Sequence, residues 1–119
     1  MEAEDTALVV MRHTGGTLSH ISVDCTQHGY RRGVHVVGTE GNATWTFPSK
    51  LSVVRQDGTT ETRELLSDFS TAYQLEMQQF IDCLDGSNTP AVDGYEALES
   101  LKITLAARES ASKRIEIQL

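Results

Sequence analysis

The chain has 119 residues, and its 10 Lys and Arg stand against 17 Asp and Glu, a formal net charge of −7 at pH 7. That length can bury one hydrophobic core without disulfides, so a single domain over 1–119 is expected, and the acidic balance would repel an extended phosphate backbone, which argues against a nucleic-acid partner. No charged-then-apolar leader and no apolar run of about twenty residues is visible, so neither secretion nor membrane spanning is indicated. Cys25 and Cys83 have no spacing that suggests a disulfide framework or a zinc site, and free thiols in a reducing cytoplasm fit best.

From the N-terminus the chain reads as an antiparallel meander. TALVVMRH (residues 6–13), Gly15-Gly16 and TLSHISVDC (residues 17–25) have the form of a hairpin, because both central positions of a two-residue Gly-Gly turn can take positive φ. Such a turn sets Thr14 opposite Thr17. Val10 then faces Ile21 and Leu8 faces Val23 on a core side, while Met11 faces His20 and Val9 faces Ser22 on the other. Further strands follow at Gly33 to Gly38, Ala43 to Phe47, Leu51 to Arg55 and Thr59 to Leu65, with Asp57-Gly58 as a second hairpin signal. Trp45 and Phe47 share one face with Ala43.

Two helices come next. Phe69, Tyr73, Met77, Phe80, Ile81 and Leu84 recur at three- and four-residue steps, so one face of the first helix is apolar and seeks a surface to cover. Gly86 stops it, and Asn88 with Pro90 marks a turn. Asp93 with Glu96 has capping-box spacing at the start of a second helix that runs to about Ser112. Leu98, Leu101 and Leu105 form its apolar stripe, while Ala97, Ala106, Ala107 and Ala111 allow close backbone approach. Lys113 and Arg114 suit a helix C-terminus, and Ile115, Ile117 and Leu119 alternate with polar residues as a closing strand would. The pattern predicts an α+β fold: a mostly antiparallel sheet of about six or seven strands with two C-terminal helices packed on one face, burying Phe80 and Leu101.

The residues Tyr73, Glu76, Met77, Phe80 and Ile81, then Pro90, Val92, Asp93, Gly94, Ala97, Leu98, Ala106, Ala107, Glu109, Ser110 and Ala111, together resemble the closing segment of a known family. It is that of glucose-fructose oxidoreductase and inositol dehydrogenase (Gfo/Idh/MocA). VHVVGTEGNATWTF, residues 34–47, resembles the family's strand, Gly-x-x-Gly turn and strand. The resemblance implies the second half of the family's C-terminal domain, which in complete members follows a Rossmann domain that binds NAD or NADP. A dinucleotide fingerprint needs G-x-G-x-x-G between a strand and a helix, so that the backbone approaches the pyrophosphate. No such run occurs here, nor do the family's Glu-Lys-Pro and Asp-x-Gly-x-x-x-His motifs. The expectation is therefore a truncated product opening at Met1, with the Rossmann domain absent, no catalytic residue of its own, no cofactor bound by this chain, and NAD or NADP implied for a full-length parent.

CTQHGYRR, residues 25–32, gathers the side chains best suited to a polyol or sugar. His and Tyr supply neutral donors and acceptors, and Arg would hold a phosphate or carboxylate. Taken alone, the stretch reads first as a polar connecting loop. His28-Gly29-Tyr30 resembles the Tyr-Gly-Tyr strand entry that approaches the substrate in inositol dehydrogenase-like members, with histidine in place of the first tyrosine. His28, Tyr30 and Arg31 are the candidate substrate residues. His13, His20 and Asp24 do not converge as metal ligands, and Cys25 near His28 lacks the third group a nucleophile needs, so no metal or covalent site is expected.

The polar, weakly charged face holding Val9, Met11, His20, Ser22 and Thr44 lacks the Lys and Glu of a freely solvated sheet. In the family the sheet commonly packs against a second subunit, so these five are candidate interface residues of a homodimer. Two functions stay open: the substrate-side and oligomerisation domain of an NAD(P)-dependent oxidoreductase acting on a sugar, polyol or related alcohol, or a free-standing binding or assembly module derived from it.

Overall fold

The computed structural model describes residues 4–65 and 68–119; Met1, on which the expected truncation rests, lies outside them. The chain forms two compact units, one of Met1–His28 with Ala91–Leu119 and the other of Gly29–Pro90. The class is α+β, with six antiparallel strands and two helices among the described residues. The strands form two sheets, a two-stranded one and a four-stranded one, where a single sheet was expected.

In the first unit, β1 (Thr6–Arg12) and β2 (Leu18–Asp24) form a hairpin, and α2 spans Gly94–Lys113. The hairpin does not close on a two-residue Gly-Gly turn. The His13 amide donates to the Thr17 carbonyl (2.9 Å) and the Gly16 amide to the His13 carbonyl (2.8 Å), so Thr14, Gly15 and Gly16 form a three-residue loop with Gly16 at φ 85°. A type I turn followed by a left-handed glycine produces this bulged closure. It slips the expected register by one residue, pairing Leu8 with Ser22, Val9 with Ile21, Val10 with His20 and Met11 with Ser19. One slip moves every partner to the opposite face.

The second unit carries β3 (Gly33–Gly38), β4 (Gly41–Thr46), β5 (Lys50–Arg55), β6 (Thr60–Glu64) and α1 (Phe69–Leu84). The sheet order β3-β4-β5-β6 is a plain meander. Gly38 pairs with Gly41 across a two-residue turn, as Gly-x-x-Gly spacing predicts. A Cβ on Gly41 would strike the Val54 carbonyl oxygen of the adjacent strand, so glycine lets β4 and β5 approach. The β5–β6 connection repeats the closure of β1–β2: Gly58 donates to Arg55 (2.9 Å), Arg55 to Thr59 (2.9 Å), and Gly58 takes φ 82°.

Pairing sorts this sheet into two faces. Val34, Trp45 and Leu51 align across three strands, as do Val36, Ala43 and Val53, which makes an apolar face ending at Arg63 and Glu61 on β6. The other face carries the row His35, Thr44, Ser52 and Thr62.

Both helices start on an aspartate. Asp68 accepts from the Thr71 amide (2.8 Å) and hydroxyl (3.0 Å), and Asp93 accepts from the Tyr95 and Glu96 amides at 2.8 and 2.9 Å; each answers amides that have no partner within the helix. The expected closing strand is not formed. Arg114 adopts a left-handed φ of 58°, the Arg114 and Ile115 amides donate to the Ser110 carbonyl, and the Ser110 hydroxyl donates to the Ile115 carbonyl (2.7 Å). The chain is thereby tied to the last turn of α2, and among the described residues the alternating Ile115, Ile117 and Leu119 join no sheet.

Helix burial also differs from expectation. Neither α1 on the four-stranded sheet nor α2 on the hairpin makes an extended contact, and no described residue is fully buried. Phe80 is 59% and Leu101 51% exposed, so the apolar stripes that sequence periodicity picks out are formed but uncovered within their units.

Candidate functional site

The segment from Cys25 to Arg32 joins β2 to β3, and hydrogen bonds fix its start. The Cys25 amide donates to the Asp5 carbonyl (2.7 Å), and the Asp24 carboxylate accepts from the amide (2.8 Å) and hydroxyl (2.7 Å) of Thr26. The Thr26 hydroxyl, then its amide, hold the Asp24 carboxyl below its ordinary range, because both donate to the charged form. Gly29 turns the chain with φ 81°. At the far end, a Cβ on Gly33 would come within 2.7 Å of the Trp45 carbonyl oxygen, so glycine lets the strand enter flush against β4.

Of the candidate substrate residues, Tyr30 and Arg31 belong to the four-stranded unit and His28 to the other. Tyr30 sits in an aromatic cluster. Its ring meets Phe47 (centroids 5.0 Å, interplanar angle 71°) and Phe69 (5.6 Å, 73°) edge-on, and the two phenylalanines lie 4.9 Å apart. Trp45 adds an edge contact to Phe47 at 6.3 Å. Edge-to-face geometry at these separations sets the electropositive ring edge against an electron-rich face. Tyr30 nevertheless stays 62% exposed, leaving much of its surface open to a solute.

Phe47 grips the same segment by its backbone, donating its amide to the Arg32 carbonyl (2.9 Å). Phe69 is the first residue of α1, placed there by the Asp68 cap. Thr71 donors also lower the Asp68 carboxyl, the amide most strongly. Phe47 and Phe69 read in sequence only as a strand and a helix aromatic, since no local pattern links positions 22 residues apart.

The candidate interface residues do not form one surface. Val9 and Met11 lie on one face of the hairpin and His20 and Ser22 on the other, the consequence of the register slip. Thr44 lies in the other unit, half-buried, sharing a 2.8 Å hydrogen bond with the Nδ1 atom of His35. His35 and Thr62 were missed as members of its row; the pairing that Gly38 and Gly41 impose would have found His35.

A dinucleotide pyrophosphate is ordinarily held by free amides at a helix N-terminus. Here carboxylates already accept from those amides at the starts of α1 and α2, and the turns at Gly16, at Gly38 and Gly41, and at Gly58 join strand to strand. The helix starts of this chain therefore do not fit the group. Among the described residues no three His, Cys, Asp or Glu side chains gather as metal ligands, and no helix is long and apolar enough to cross a membrane.

An α+β domain with a meander sheet, capped helices and a Gly-x-x-Gly turn is the class defined by these observations. The chain belongs to the oxidoreductase family's C-terminal alpha/beta domain, the Gfo/Idh/MocA C-terminal domain, whose model matches residues 1–119. It is 27% identical over 120 residues to scyllo-inositol 2-dehydrogenase (NAD(+)) of Bacillus subtilis (strain 168), an alignment covering 97% of this chain and 35% of that protein. The chain thus spans about a third of the curated relative it matches. No solved structure matches it.

Proposed function

We propose that this chain is the substrate-side and assembly domain of an NAD(P)-dependent oxidoreductase acting on a sugar, polyol or related alcohol, and that alone it transfers no hydride. The supporting observation is the family match over the whole chain, joined to a relative whose name states an inositol substrate and NAD(+). On this reading the dinucleotide and the proton-transferring groups are held elsewhere in the intact protein, and this domain offers Tyr30 and Arg31 to the hydroxyls of the alcohol. A phenol donates and accepts as each hydroxyl of a polyol does, whereas a guanidinium only donates. Two free cysteines accord with a reducing, cytoplasmic location.

Calorimetric titration of the chain with NAD and with NADP tests the division of labour. No heat of binding is expected; micromolar affinity for either would overturn it. For the intact protein, scyllo-inositol-dependent formation of reduced nicotinamide is the positive expectation.

Assembly is the second half of the reading. The polar row His35, Thr44, Ser52 and Thr62, free of Lys, Arg, Asp and Glu, suits a two-fold contact with a second copy, in which a residue near the axis meets its own counterpart. Thr44→Lys should then weaken a homodimer by bringing like charges together, with the fold kept. On the hairpin, Ser22→Lys and Val9→Lys probe opposite faces, so a flat partner surface can be sensitive to only one. Light scattering with circular dichroism as the fold control decides, and a parent that stays monomeric at high concentration would remove the dimer.

A further inference from the structure

Tyr30 combines two properties on its connecting segment: its ring is braced by two neighbours, yet it stays 62% exposed. Each brace is itself anchored. Phe47 follows β4 and holds the Arg32 carbonyl through its amide, so backbone and ring of one residue grip the segment on either side of Arg31. Phe69 opens α1, where the Asp68 cap sets the first turn. The two Phe rings, inclined by 38°, form a notch that receives the Tyr30 ring.

We propose that Phe47 and Phe69 are positioning residues, which hold Tyr30 and the adjoining Arg31 in one arrangement before a polyol arrives. This rests on the reading of Tyr30 as a substrate residue. The physical effect is preorganisation. A side chain that is already immobilised loses less entropy on binding, and the saving expected for one or two such side chains corresponds to roughly threefold to tenfold in affinity. The hydroxyl of Tyr30 makes the contact, and the phenylalanines act only through it.

Two measurements test the proposal. The first uses the chain itself: trypsin cleaves after Arg31 and Arg32 only if that segment can loosen. Phe69→Ala and Phe47→Ala should speed this cleavage at least severalfold while cleavage after Arg12, in the other unit, keeps its rate; Phe69→Tyr should restore the parent rate. Unchanged cleavage at Arg31 and Arg32 overturns the proposal whatever else is found. If Phe69→Ala fails to fold by circular dichroism, Phe69→Leu, which keeps bulk but not the ring, replaces it.

The second measurement is a double-mutant cycle on the intact oxidoreductase with scyllo-inositol. Tyr30→Phe and Phe69→Ala should each raise KM about threefold to tenfold with kcat kept, and the double variant should be no worse than the poorer single one. Multiplying effects would show that Phe69 acts independently of Tyr30, which overturns positioning alone. A KM indifferent to Tyr30→Phe, or no turnover of scyllo-inositol, places the failure in the substrate reading and withdraws the proposal's functional half, while the proteolysis result still decides whether the ring notch holds the segment.

Discussion

Gly41 and Gly15 both close a hairpin, but only one of them has a third strand beside it. At Gly41 a side-chain carbon would run into the carbonyl of Val54 on β5, whereas at Gly15 it would meet nothing within 4 Å. The demand for glycine at Gly41 is thus set by the neighbouring strand together with its own φ of 156°, whereas the β1–β2 hairpin demands it only at Gly16, through the turn. Gly41→Ala should accordingly produce the largest loss of stability, roughly 3 kcal/mol, because the obstruction is backbone that cannot rotate away. Trp45 is the single tryptophan and lies on β4, so urea unfolding followed by its fluorescence reports this unit. A Gly41→Ala variant as stable as the parent would mean that β4 and β5 can part at no cost.

The two bulged turns sharpen the comparison at lower energy. Gly16 and Gly58 have nearly the same φ, 85° and 82°, and open space around them. Alanine at either should cost about 1 kcal/mol through the left-handed backbone alone, measured by amide exchange in the adjoining strands. Gly15→Ala should fall within about 0.5 kcal/mol of the parent. If Gly15→Ala proved worse than Gly16→Ala, the turn would be closing on two residues after all.

These turns also show what was legible in the sequence and why. Strand and helix positions followed from alternation and three-to-four periodicity, and the cap of the second helix from Asp93 with Glu96, while the Asp68 cap of the first was not anticipated. Gly-x-x-Gly correctly marked the β3–β4 turn. The Gly-Gly pair did not reveal its hairpin's register, since a two-residue loop and a three-residue bulged loop both accept glycine there; the choice lies in hydrogen bonding across His13 and Thr17. That single residue separated Val9 and Met11 from His20 and Ser22. Tertiary features were the least legible. The stripes bearing Phe80 on α1 and Leu101 on α2 each demanded a partner surface without naming one, and the Tyr30 cluster joins positions 30, 47 and 69, which no local pattern connects. The family resemblance carried the domain's identity, where composition alone reached only a single acidic domain.

The smallest effect is a pH dependence that should appear at one bulged turn and not at the other. In β5–β6 the Asp57 carboxylate accepts from the Thr59 hydroxyl (2.6 Å) and amide (2.9 Å), the hydroxyl contributing most to holding its carboxyl below the ordinary value. The corresponding position in β1–β2 is Gly15, which has no side chain to titrate. A carboxyl whose folded pKa is depressed binds its proton more readily in the unfolded chain. Its contribution is therefore present above the unfolded value near 3.8 and is lost as pH falls through the lower folded value. Acidification from about pH 6 to about pH 2.5 should move the amide resonance of Thr59 in nuclear magnetic resonance spectra and leave that of Gly16 in place. Asp57→Asn keeps a side-chain oxygen to accept from Thr59 but has no proton to gain, so it should flatten the Thr59 response. A Thr59 amide that titrates unchanged in the Asp57→Asn variant would assign the acid response to another carboxylate and leave the two turns equivalent.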